Sequence, residues 1–463
     1  KTKTVMTNTL FSIPERFNIA CEAYEEAKSI AEEIHLDEGK FANILFNYAH
    51  LYADFNRIYE AVQLYIEALR IYRQLAESNP EFYMPDVADT LNNLANLQND
   101  IGRYDEAEEN HLKALRIRRQ LAESSPDTYI PDLAQTLNNL AGLQKDLGRY
   151  GEAEEYYLEA LRIRFQLSEF NPDAYTPRVA DTLNNLANLQ NDIGRYDEAE
   201  ENHLKALRIR RQLAESSPDT YIPDLAQTLN NLANLQKRLG RYGKAEEYYQ
   251  EALRIYRQLS ESNPDAHMPS MAMTLNNLAL LKDDFGRYGE AEGYYQEALR
   301  LYRQLAESNP DAYMPRVADI LNNFVILKAN LGRHGEAEEI CLKALRIRRQ
   351  LAEINPDAYM PRTADTLNNL AILQVNLGRY GEAEENYLEA LQIRRQFAES
   401  NPDAFMQRVA ETLNNLASLQ KDLGRYGEVE KNYQEALGIR RQLADSNPDA
   451  FMSNVAMVLN NLA

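Results

Sequence analysis

An all-α solenoid of antiparallel helix pairs is the fold this sequence predicts, and three observations predict it. The string Leu91-Asn92-Asn93-Leu94-Ala95 returns at Leu137, Leu183, Leu229, Leu275, Leu367, Leu413 and Leu459, with a weaker copy at Leu321, so that every step is 46 residues. A fixed period of this length marks a repeat array. Each period holds two stretches whose apolar residues fall at helical spacing. A glycine closes the first stretch in the same register each time, from Gly102 through Gly148 and Gly194 to Gly424, as a residue free to adopt the left-handed conformation that ends a helix.

The period sets the domain organisation, because each unit of an array packs only on its neighbours. Residues 1–40 form an N-terminal segment with a half-repeat helix, 41–454 form nine repeats of 46 residues, and 455–463 are the truncated helix A of a tenth. Pro14-Glu15 opens the first helix, which runs to about Ile34 with Ile19, Ala20, Ala23, Ala27, Ile30 and Ala31 on one face. Asp37-Glu38-Gly39 breaks it, and a second helix from near Phe41 carries the degraded motif Leu45-Phe46-Asn47-Tyr48-Ala49.

In the repeat from Val87 to Asp132, helix A is expected over 87–101, stopped by Gly102; Asn56 holds that slot in the first repeat. Asp105, or Gly151 one unit on, is the expected N-cap of helix B. Glu106, Glu108 and Glu109 in its first turn and Arg116, Arg118 and Arg119 near its end complement the helix dipole. Its buried stripe is expected to be Ala107, His111, Ala114, Leu115, Ile117 and Leu121. The connection from Ser124 to Pro131 is expected to hold one helical turn with Tyr129 tucked against the neighbouring unit, and the second proline to start the next helix A. Residues 87–141 and 179–233 are identical, a two-unit block copied whole.

Leu91, Leu94, Ala95, Gly102, Tyr104, Ala107 and Ala114 stand at the spacings of the tetratricopeptide repeat consensus, whose usual unit is shorter, at about 34 residues. The stretch from Thr274-Leu275-Asn276-Asn277-Leu278-Ala279 to Gly286-Arg287-Tyr288-Gly289-Glu290-Ala291-Glu292 resembles the long repeats of kinesin light chain and of bacterial regulatory proteins, with a linker four residues longer here than in the kinesin pattern. The resemblance covers about residues 41–463. It implies a right-handed superhelix whose concave groove is lined by helix A, and a non-enzymatic protein-binding or peptide-binding scaffold.

The composition excludes several classes. A net charge of −21 argues against nucleic acid and against an anionic membrane surface. Cys21 and Cys341 lie far apart, with no disulfide framework or zinc spacing. No apolar run suits a membrane span or a secretory signal, so a cytoplasmic location is the default. His111 and His203 take the slot held by Tyr157, Tyr249, Tyr295, Tyr387 and Tyr433 and read as packing residues. Gly-Arg-Tyr-Gly lacks the Lys-Ser/Thr pair of a phosphate loop. No catalytic residue, metal site or cofactor is expected. The Arg-Ile-Arg-Arg runs (Arg116, Arg208, Arg346) read as dipole complements paired with the abundant glutamates.

The asparagine pairs carry the functional expectation, since a carboxamide can both donate to and accept from an extended peptide backbone; the alternative is that one asparagine of each pair, the second more than the first, bonds an adjacent helix. The first asparagine of each pair, at Asn92, Asn138, Asn184, Asn230, Asn276, Asn322, Asn368 and Asn414, is placed in the groove the resemblance implies. Asn96, Asn188, Asn234, Leu280, Ile326 and Ile372 stand four residues beyond it, and Lys145 and the basic step Lys237-Arg238 lie further along. The groove is therefore polar in its first half and more apolar in repeats six to eight. Two other readings remain: a sensor arm of a larger effector, continuing past Ala463, and a head-to-tail structural assembly through the uncapped C-terminal helix, which would make heterologous contacts.

Overall fold

The structure is a computed structural model and describes residues 13–462 apart from 35, 56 and 447. His35 and the Asn56 slot therefore lie outside the described residues. Among the described residues the chain is helical, without a strand. The helices are α1 (Ile13–Glu33), α2 (Glu38–Asp54), α3 (Ile58–Ser78), α4 (Pro80–Asp100), α5 (Tyr104–Ser124), α6 (Pro126–Asp146), α7 (Tyr150–Phe170), α8 (Pro172–Asp192), α9 (Tyr196–Ser216), α10 (Pro218–Arg238), α11 (Tyr242–Ser262), α12 (Pro264–Asp284), α13 (Tyr288–Ser308), α14 (Pro310–Asn330), α15 (His334–Ile354), α16 (Pro356–Asn376), α17 (Tyr380–Ser400), α18 (Pro402–Asp422), α19 (Tyr426–Ser446) and α20 (Pro448–Leu462). From α2 on, even-numbered helices are helix A and odd-numbered helices helix B. The chain divides into a first unit ending at His267 and a second beginning at Met268, the boundary falling in α12.

Helix A is longer than the sequence suggests. It begins at the first proline of each linker, and the second proline (Pro85, Pro131, Pro177, Pro223) lies inside it. No separate turn precedes it. The first proline suits the first helical position, where its missing N–H has no partner to lose. Ahead of it the Asn171 side chain caps α8 by accepting from Ala174 N at 3.3 Å. An internal proline forgoes one hydrogen bond and reads as a break, at a cost of about 3 kcal/mol. Tertiary packing outweighs that penalty here.

Between A and B the turn is tight. Gly102 has φ +78°, its N–H bonds Asn99 O at 3.0 Å, and the Arg103 N–H bonds Gln98 O at 2.8 Å. This Schellman closure satisfies the last carbonyls of helix A and starts helix B one residue later. The N-cap of α5 is therefore Arg103, and that of α7 Arg149, neither with a side-chain cap bond, rather than Asp105 or Gly151. Asp105 sits in the first turn instead, where its charge still favours the helix dipole.

Leu91, Leu94 and Ala95 of α4 are buried, as are Ala107, Ala114 and Leu115 of α5. Alanines at the crossing bring the two backbones close, and leucines fill the space between successive pairs. Ile117 and Leu121 are only half-buried, while Arg118 of the same helix is buried.

Candidate functional site

Residues 89, 92, 96 and 100 of α4 recur at three and four residues and so share one helix face. The corresponding face of every helix A is the surface on which the asparagines fall.

The pairs build a ladder. Asn139 Nδ2 donates to Asn92 Oδ1 at 3.4 Å, Asn185 to Asn138 at 3.4 Å and Asn231 to Asn184 at 3.3 Å in the first unit. In the second, Asn323 donates to Asn276 at 3.1 Å, Asn369 to Asn322 at 3.2 Å, Asn415 to Asn368 at 3.3 Å and Asn461 to Asn414 at 3.1 Å. In these seven bonds the second asparagine of a repeat holds the first asparagine of the repeat before. Asn92, Asn184, Asn230 and Asn368 are buried, while Asn138, Asn276, Asn322 and Asn414 are half-buried.

The positions four residues on are more open. Asn96, Asn188, Asn234 and Leu280 are half-buried, and Ile326 and Ile372 are exposed. Asn234 accepts from the Tyr249 hydroxyl beneath it. Lys145 pairs with Asp192 of the next helix A at 3.2 Å. Lys237 is half-buried, and the exposed Arg238 reaches Asn191 O at 3.4 Å.

Sequence reasoning missed a second column on this face. The third residue of each Arg-Ile-Arg-Arg run is buried and crosses from helix B towards the helix-A face. Arg118 Nη1 donates to Asp132 O at 2.6 Å and to Thr136 on the next helix A, and its Nη2 pairs with Asp89 on its own helix A. Arg210 pairs with Asp181, and Arg348 with Asp319 at 3.2 Å. Arg394 pairs with Asp365 at 2.6 Å. One guanidinium thereby ties three helices together. The fourth residue does what the sequence suggested for the run: Arg119 meets Glu159 at 3.1 Å and Arg349 meets Glu389 at 2.8 Å, both on the next helix B. A signal for the buried column was available. The residue 29 before Arg118, Arg210, Arg348, Arg394 and Arg440 is Asp89, Asp181, Asp319, Asp365 and Glu411 in turn, and where it is Asn43, Gln227 or Met273 the arginine is replaced by Tyr72, Tyr256 or Tyr302.

A third column joins turns to neighbours. The arginine after the turn glycine reaches a glutamate of the preceding helix B in several repeats, as Arg241 does Glu200 at 2.7 Å and Arg425 does Glu384 at 2.8 Å, whereas Arg103 meets Glu106 of its own helix at 3.8 Å. Buried Lys328 takes the slot of Gln144 and Gln190 and meets Glu292 and Glu336, each at 2.7 Å. His111 and His203 are buried packing residues, and burial pushes both imidazoles down to about 4. Cys21 and Cys341 are free thiols. Among the described residues no group of side chains is arranged to hold a metal ion, and no helix is long and apolar enough to cross a membrane.

Comparison with known proteins agrees with this architecture. The tetratricopeptide repeat family matches over residues 86–166, 132–212, 178–258, 224–304, 316–396 and 362–442, and again over 43–81. The chain belongs to the tetratricopeptide repeat family, whose members are in general non-enzymatic scaffolds that bind protein partners. Among solved structures it is similar to BtubC (BKLC) from P. vanneervenii, at 26% identity and a TM-score of 0.44, over 53% of this chain and 90% of that one. It is also similar to the apo form of RapI, at 17% identity and a TM-score of 0.47, over 67% of this chain and 99% of that one. A third is a signal-transduction ATPase with numerous domains and a tetratricopeptide repeat sensor from Pyrococcus horikoshii, at 16% identity and a TM-score of 0.51, over 84% of this chain and 53% of that one. Among curated proteins none matches.

Proposed function

We propose that the helix-A face of this array binds an extended peptide segment of a protein partner. The observation that carries the reading is the column four residues past each leading asparagine. Within each unit it recurs every 46 residues and is at least partly exposed: Asn96, Asn188 and Asn234 in the first unit, and Leu280, Ile326 and Ile372 in the second. A register of amides suits a peptide backbone whatever its sequence. The apolar positions suit side chains. The leading asparagines, Asn92 to Asn414, hold the helices that present this column.

The test is fluorescence anisotropy with labelled pools of random, amidated 12-residue peptides. The chain is expected to bind the pools above a Gly-Ser control peptide. Asn96→Ala with Asn188→Ala should weaken binding about five-fold or more, the loss of one or two hydrogen bonds. Arg119→Ala, on helix B, should not change it. No binding above the control, or equal binding by the asparagine variant, would overturn the reading.

A further inference from the structure

The buried-arginine column has one exception, and it lies on the face proposed above. Five of its arginines stand 29 residues after an acid, and three neutral residues at that spacing are answered by tyrosine. Arg164 alone keeps the arginine without the acid, because Gln135 stands where Asp89, Asp181, Asp319 and Asp365 stand elsewhere. It is only 3% exposed. Its Nη2 donates to Gln135 Oε1 at 2.8 Å and its Nη1 to Arg178 O at 3.1 Å and to Thr182 Oγ1. Among the described residues it makes no ion pair. Burial pushes the guanidinium down to about 10.

The same four positions recur four repeats later, within the second unit, with the acid present. There Arg348 and Arg362 share one carboxylate: Arg348 Nη2 lies 3.2 Å from Asp319 Oδ1, and Arg362 Nη1 lies 3.2 Å from Asp319 Oδ2. Arg348 Nη1 also bonds the Arg362 carbonyl and the Thr366 hydroxyl, each at 2.6 Å. Arg394, Arg408, Asp365 and Thr412 repeat the arrangement, with Arg394 2.6 Å and Arg408 3.8 Å from Asp365. Arg164 and Arg178 are the same pair of guanidiniums without the shared carboxylate.

Beside them is a polar cavity of about 210 Å³ on the helix-A face of α6, α8 and α10, lined among others by Gln135, Arg164, Arg178, Asp181, Arg210 and Asp224. Its acids are largely committed. Asp181 pairs with Arg210 and lies 3.7 Å from Arg178, and Asp224 lies 3.1 Å from Arg210. Three arginines against two aspartates leave one positive charge. Among the described residues the buried Nε of Arg210 has no hydrogen-bond partner.

We infer that this cavity, between α6, α8 and α10, takes a carboxylate from the bound peptide, which lies against Arg178 and Arg164 and supplies the acid that Gln135 does not. The inference rests on the peptide-binding reading and names part of its ligand. A net charge of −21 does not oppose it, since screening confines charge effects to roughly 8–10 Å and the local balance is positive.

The probe is a set of three 12-residue peptide pools: one with a fixed central Glu and an amidated C-terminus, one with Gln at that position and amidated, and one with Gln and a free C-terminal carboxylate. The full chain is expected to bind one carboxylate-bearing pool about ten-fold more tightly than the amidated Gln pool, the size of a charge-assisted contact. Preference for the Glu pool identifies a side-chain carboxylate, and preference for the free-acid pool a terminal one. Gln135→Glu supplies the acid internally. It should raise thermal stability and abolish the preference. Arg178→Gln should abolish the preference too. Equal binding of all three pools would overturn this inference and leave the peptide-binding reading standing. Binding of none would overturn both. A preference that survives in Gln135→Glu and Arg178→Gln alike would place the carboxylate elsewhere and overturn the inference.

Discussion

Asn323 Nδ2 on α14 donates to Asn276 Oδ1 on α12 at 3.1 Å, one helix A to the one before it. The most regular motif in the chain is therefore first a fastener between repeats. Asn323→Ala removes the donor and leaves the Asn276 oxygen half-buried without it. A net loss of about 1 kcal/mol is expected. Repeat arrays unfold by segments rather than all at once, so the loss should be read locally. Hydrogen exchange should speed up several-fold in α12 and α14 and stay unchanged in α4 and α5. Uniform acceleration along the chain, or none, would remove the ladder from the account of what holds the repeats together.

The arginine column makes a prediction about pairs. Arg394 is buried and bonds Asp365, the Arg408 carbonyl and Thr412. Asp365→Gln strands the guanidinium and should cost about 2 kcal/mol, below the range for a wholly buried pair because Asp365 is half-exposed. Arg394→Tyr alone should also destabilise. Together the two changes recreate the pairing of Gln227 with Tyr256 that the chain itself uses. The double variant should therefore recover most of the loss, a coupling of about 1–2 kcal/mol in a double-mutant cycle. Additive losses in denaturant titrations would show that the two positions do not answer one another.

The repeat length, the order of helices, the turn glycines and the leucine and alanine core were all legible in the sequence, because each rests on residues close together in the chain. Three features were not. The second linker proline, such as Pro131, looked like a helix start because local chemistry disfavours it inside a helix, and only packing along the whole of α6 decides otherwise. Arg118 looked like a surface charge because it sits in a run of four residues with Arg116 and Arg119. Its partners Asp89 and Thr136 lie 29 residues before and 18 residues after it. The asparagine pairs left two partners open, a ligand or an adjacent helix, because Asn92 and Asn139 are 47 residues apart. In each case the missing information was a long-range contact, recoverable only by comparing the chain with itself at a fixed offset.

Gly194 tests the turn in isolation. Its φ is +81°, and a Cβ added there would meet nothing within 4 Å. Gly194→Ala therefore meets only the backbone strain of the left-handed region, about 1 kcal/mol. Gly194→Asn should cost less, since asparagine tolerates that region better. A loss well above this for alanine, measured by thermal melting of the full chain, would mean that the turn is more crowded than the Schellman closure requires.

The buried histidines set the response to acid. His111 and His203 lie in the two identical stretches, and His203 Nδ1 is 3.1 Å from Asn184 Oδ1. The folded imidazoles titrate near 4 because burial disfavours the charged form, against about 6.5 in an unfolded chain. Between those values the unfolded chain binds more protons, so stability rises with pH through this window. The contribution is fully present above about 6.5 and is lost as pH falls towards 4, at most about 3 kcal/mol for each histidine. His111→Tyr with His203→Tyr should flatten that part of the profile. The slot already holds Tyr249, whose hydroxyl donates to Asn234 fifteen residues earlier, and Asn96 and Asn188 stand at that same offset from the two histidines. The double variant should keep the stability of the parent at pH 7 and lose less of it by pH 5. The measurement is the denaturation midpoint of both chains from pH 4.5 to 7.5. Parallel profiles would show that the acid response arises from other groups, the carboxylates of the ion-pair columns first among them.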